Sequence, residues 1–151
     1  MVKLSVADLL ERELEATIRD WLELVNMVPE LTAIALSDAD RTSHLPKLYH
    51  DLISRLRLGR DAPSSISAAA VAHGRARRKQ GYSAAMLVEE SRACEVATFG
   101  TLHRHQKELD KDQVLLDVVV IADEVDSQLT QGVSSLTKTG TTISTGIIEP
   151  L

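Results

Sequence analysis

Apolar residues in the first segment recur every three or four positions. Leu9, Leu10, Leu14, Ile18, Trp21, Leu22, Val25 and Val28 alternate with Glu and Arg, which predicts one amphipathic helix from Ser5 to about Val28. Ser5 can cap it, Asp8 complements its dipole and Pro29 marks its end, so a loop or short turn should follow. Ser37 and Asp40 can open a short helix. Pro46 suits the first turn of a longer one whose stripe is Leu45, Leu48, Tyr49, Leu52, Ile53 and Leu56, and Gly59 stops it. The loop from Arg60 to Ser64 leads through a serine cap into an alanine-rich helix, about Ile66 to Lys79, ended by Gly81. Ser83 caps the next helix, with Met86, Leu87, Glu90, Ala93, Cys94, Ala97 and Leu102 on its inner face.

Asp110 followed by Gln113 resembles a capping arrangement for a last helix. By propensity, Val114 to Ala122 reads equally well as a buried strand. Helix is preferred because no other segment is β-rich and the pattern continues through Val125, Leu129 and Val133 without a turn signal. Leu115, Val118, Ala122, Val125 and Leu129 form a heptad-like seam suited to a dimer interface or a transmission helix, although a place in the monomer core explains them equally. From Ser134 to Gly146 nearly every residue is Ser, Thr or Gly, so residues 134–151 are expected to form a flexible tail behind a domain over 1–133. The expectation is an all-α bundle of about five helices.

At 151 residues the chain suits a single domain with its own core. Cys94 has no partner for an internal disulfide. No apolar stretch approaches the ~18 residues of a membrane span, and the acidic first turns lack the flanks of a secretory signal, so a cytoplasmic location without a membrane span is expected. A net charge of −5, with Trp21, Tyr49, Tyr82 and Phe99 scattered singly, argues against a nucleic-acid partner.

Chemistry-bearing patterns are sparse. His103 and His105 lie about 200° apart around a helix and His44 and His50 straddle Pro46, so no metal or other cofactor is expected. His73, followed by Gly74 and Arg75, is the best candidate for a phosphoacceptor on a helix surface. Arg75, Arg77, Arg78 and Lys79 form a local basic patch, read either as a solvated helix end or as a docking surface for an acidic partner. Adjacent Glu89 and Glu90 point about 100° apart and are read as surface charges. No nucleophile elbow, phosphate-binding glycine loop or metalloprotease motif occurs, and enzymatic activity is not expected.

The blocks Arg41-Thr42-Ser43-His44-Leu45-Pro46-Lys47-Leu48, Asp51-Leu52-Ile53, His73-Gly74-Arg75 and Gln80-Gly81-Tyr82-Ser83 occur in an order similar to the N-terminal domain of the RsbRD family. That family is named for stressosome RsbT co-antagonists and is also found before histidine kinase and other output domains. Trp21-Leu22-Glu23-Leu24-Val25 and Glu89-Glu90-Ser91-Arg92 fit the same pattern, and the resemblance runs from about Leu9 to Leu129. It implies an all-α, globin-like sensory module without haem, commonly dimeric, that serves signal transduction and stress response. It carries over no catalytic or ligand residues. The expected function is therefore a non-enzymatic input domain acting through protein–protein contacts, as a homodimer with a signalling partner or output domain, and with a small-molecule ligand as one option. A histidine phosphotransfer module is the alternative, and a haem-binding globin-type sensor a remote one.

Overall fold

The computed structural model describes residues 2–138, and these are all-α. Eight helices follow one another: α1 (Val6–Arg12), α2 (Leu14–Val25), α3 (Pro29–Thr32), α4 (Asp38–Thr42), α5 (Leu45–Leu58), α6 (Ala68–Lys79), α7 (Ala84–Arg104) and α8 (Lys111–Thr137). A short 3₁₀ turn, Gln106–Glu108, joins the last two. The five long helices are those expected from the hydrophobic pattern. α3 takes the place of the expected loop or short turn after Pro29, and the 3₁₀ turn lies between the last two helices, where the hydrophobic pattern predicts no element.

The helix ends follow local chemistry. Ser5, Ser37, Ser67 and Ser83 each accept a hydrogen bond from the backbone N–H three residues on, and Asp110 accepts one from Asp112. Gly59 and Gly81 stand at φ +101° and +94°, a conformation unfavourable to side chains, and so close α5 and α6.

The expected first helix is broken at Glu13, between α1 and α2. The Thr17 hydroxyl donates to the Glu13 carbonyl at 2.8 Å, the kind of side-chain bond to the preceding turn that bends helices. The last helix runs past the expected domain edge at residue 133 to Thr137. Ser135 and Leu136 are buried there, and the Ser135 hydroxyl donates to the Val71 carbonyl at 2.8 Å. Tertiary packing thus outweighs the weak helix propensity of Ser and Thr. The rest of the expected tail lies outside the described residues.

α7 and α8 form an antiparallel hairpin, with Leu87 against Gly132 at one end and Glu95 beside Asp126 farther along. Leu4 N–H donates to the Glu108 carbonyl at 2.8 Å, tying the N-terminal segment to the connection between these helices. α6 crosses α8 where Gly74 faces Gly132, so the two backbones approach more closely than side chains would allow. Trp21, Tyr49, Leu9, Leu31, Val25 and Ile121 belong to one buried apolar cluster, to which α1, α2, α3, α5 and α8 all contribute.

Candidate functional site

Five long helices converge on a cavity of about 50 Å³. α2 gives Trp21, α5 Leu45 and Leu48, α6 Ala70 and His73, α7 Leu87, Glu90, Ser91 and Cys94, and α8 Val125, Gln128, Leu129 and Gly132. That volume holds a few atoms, far below the ~300 Å³ at which ordinary small-molecule pockets begin, and it has no room for a porphyrin.

The polar wall of the cavity is a cluster of charged side chains inside the protein. Arg77 is 0% and Glu90 3% exposed. Arg77 Nε donates to Glu90 Oε2 at 3.0 Å, Tyr82 O–H donates to the same oxygen at 2.7 Å, and His73 Nε2 lies 3.0 Å from Glu90 Oε1. Arg77 also donates to Gln80 Oε1 at 2.8 Å and to the Arg41 carbonyl, and its guanidinium lies 5.0 Å from the centroid of the Tyr82 ring. Arg41, itself buried, donates to the Tyr82 hydroxyl at 3.0 Å and to the Leu31 and Ile34 carbonyls. Trp21 Nε1–H donates to the backbone carbonyl of Glu90 at 3.0 Å. This network ties α3, the turn after it, α4, α6 and α7 together around one carboxylate.

Burial alone would raise the Glu90 pKa, but the His73 hydrogen bond, the Arg77 charge and the Tyr82 hydroxyl together outweigh it and hold the carboxyl below its ordinary range. Burial, followed by the Glu90 charge, raises the Tyr82 phenol. Glu90 is therefore an anion whose donors are all protein groups, a structural keystone with no proton to lend. Cys94 is equally quiet as a nucleophile: burial raises its thiol pKa, and its Sγ lies 3.5 Å from the Tyr49 hydroxyl.

The structure separates the residues of the basic patch. Arg75, Arg78 and Lys79 are exposed, whereas Arg77 is turned inward and paired with Glu90, so it cannot belong to a docking surface. Glu90 is likewise not a surface charge; its place on the inner stripe of α7 prevails over its adjacency to Glu89. His73 is not displayed as a surface phosphoacceptor requires: its side chain is 12% exposed and both ring nitrogens are engaged, Nε2 by Glu90 and Nδ1 by His44 Nδ1 at 3.2 Å.

The seam on α8 is not one continuous outer face. Leu115 is 73% exposed, Val118, Ala122 and Leu129 are half-buried, and Val125 is 4% exposed in the core. Beyond the seam, Val119 on α8 and Val96 on α7 stand out at 61% and 57% exposure. Among the described residues no group of three or more His, Cys, Asp or Glu is placed to hold a metal ion, and no helix is long and apolar enough to cross a membrane.

Comparison with family models, with curated proteins and with solved structures finds no match. Two features of the site escaped the sequence reading, the meeting of His44 with His73 and the burial of Arg41. A signal for Arg77 was present: it lies three residues after Gly74 and seven after Ala70, on the face of α6 that is buried.

Proposed function

We propose that this chain is a non-enzymatic signal-transduction input domain that works through protein–protein contacts and self-association, as the resemblance to the RsbRD N-terminal domains implies. The observation that carries this reading is the double role of α8. Its C-terminal half lines the central cavity with Val125, Gln128, Leu129 and Gly132, while its N-terminal half holds Leu115 and Val119 out in solvent. One helix thus joins the interior to an apolar surface, and a change of packing inside is passed along it as a rigid element.

The chemistry of the cluster supports the non-enzymatic part. Glu90 and His73 have their polar atoms saturated by neighbours, which suits holding helices together and leaves no group aimed at a substrate. The test is the mass of the protein in solution. The wild type should be a dimer, and the double variant Leu115→Glu, Val119→Glu a monomer with unchanged helicity. A wild type that stays monomeric at high concentration would remove this reading.

A further inference from the structure

The contact between His44 and His73 joins the N-terminus of α5 to α6. The rings meet edge to face with centroids 5.1 Å apart, and the two Nδ1 atoms face each other at 3.2 Å. Proton accounting restricts what this pair can hold. His73 keeps a proton on Nε2 to donate to the Glu90 carboxylate, so its neutral form offers Nδ1 as an acceptor and His44 must supply the N–H. One further proton can be accommodated, either on the far nitrogen of His44 or on His73 Nδ1 with His44 as acceptor. A second would place two N–H groups head to head between two cationic rings.

The surroundings oppose added positive charge. His44 is faced by Lys47 from its own helix, by His73 and Arg77 from α6 and by Glu90 from α7, and the Arg77 guanidinium also holds the carbonyl of Arg41 in α4. Two cations, Lys47 and Arg77, thus face His44 against a single carboxylate before either imidazole is charged. Burial, then the charges of His73, Arg77 and Lys47, lower the His44 pKa against the weaker pull of Glu90. The Ser43 hydroxyl, 3.4 Å from His44 Nδ1, stands ready as an alternative partner once the ring turns away.

We infer that His44 and His73 form a proton-operated latch: in mild acid a second added proton sets N–H against N–H between the rings, parts them, and frees the N-terminus of α5 from α6 beside the central cavity. The signal class is thus the proton itself. The inference names an input for the domain proposed above, but its readout lies within one chain, so it stands or falls independently of self-association.

Trp21 is the only tryptophan in the chain, lines the same cavity and is hydrogen-bonded to Glu90, which makes it an internal reporter. The test is a titration of Trp21 emission from neutral to mildly acidic pH in a chelating buffer, with histidine ring resonances followed in parallel. The expected result is a reversible transition below the ordinary histidine pKa of about 6.5, at constant helicity, lost in His44→Gln. A flat titration, or a transition unchanged in His44→Gln, would overturn the latch. Should that variant fail to fold, the wild-type resonances decide: ring-to-ring contact between His44 and His73 must vanish in acid, and its persistence with both rings charged overturns the inference. A monomeric protein that still shows the transition would remove the dimer reading and leave the latch standing.

Discussion

Gly74 and Gly132 face each other across the α6–α8 crossing so closely that a Cβ on Gly74 would overlap the Gly132 carbonyl oxygen. The relationship is asymmetric. A Cβ on Gly132 would meet only the end of the Leu87 side chain at 3.2 Å and the Ala70 carbonyl at 3.6 Å. Gly74→Ala forces two backbones apart and should cost about 2–3 kcal/mol, even after a helix-propensity gain of about 1 kcal/mol. Gly132→Ala should fall within about 1 kcal/mol of wild type, because Leu87 can shift. Urea unfolding of both variants checks the order, and equal effects would contradict a backbone-on-backbone crossing.

Arg77 and Arg78 are neighbours with opposite fates. Arg77→Ala leaves Glu90 charged and buried without its main cation, so a loss of about 3–5 kcal/mol is expected. Arg78→Ala removes only an exposed contact to the Lys138 carbonyl and should change stability by less than about 0.5 kcal/mol. Denaturant midpoints for the two variants test this directly, and similar values would mean that Arg77 is not the buried cation.

Stability should fall with acid in two separable windows. His44 is a base whose folded pKa is depressed, so the unfolded chain binds its proton first. Its contribution is complete above about pH 6.5 and is lost as the pH falls through the lowered folded value. Glu90 is also depressed, so its contribution is present above its ordinary carboxylate range and is lost only at lower pH, as the folded value is crossed. Unfolding free energies measured across this range should show both falls, with the upper one absent in His44→Gln. A stability that rises as the solution is acidified through the upper window would contradict the sign.

Much of the fold was legible because its signals are local. Ser5, Ser37, Ser83 and Asp110 cap helices through bonds that span two or three residues, and Gly59 and Gly81 stop them by their own backbone conformation, whereas the alanine-rich helix starts behind Ser67, later than the expected start near Ile66. The site was less legible because its bonds join separate helices. Arg77 is buried by Glu90 from another helix and by the carbonyl of Arg41, and nothing near Arg77 in the sequence announces either. The heptad on α8 shows that Leu115 and Val125 share a stripe. It cannot show that α5 and α6 cover the C-terminal half of that stripe, through Gln128 to the Leu48 carbonyl and Ser135 to the Val71 carbonyl, and leave Leu115 outside.

On the proposed reading, α8 carries the interior of this domain to an apolar surface through which two copies meet. Native mass spectrometry of the wild type and of the Leu115→Glu, Val119→Glu variant over a dilution series tests it most directly, since both side chains are exposed and their loss should spare the core. A wild-type dimer and a folded, monomeric variant are expected. A monomeric wild type, or a variant that dimerises as strongly as the wild type, would contradict it.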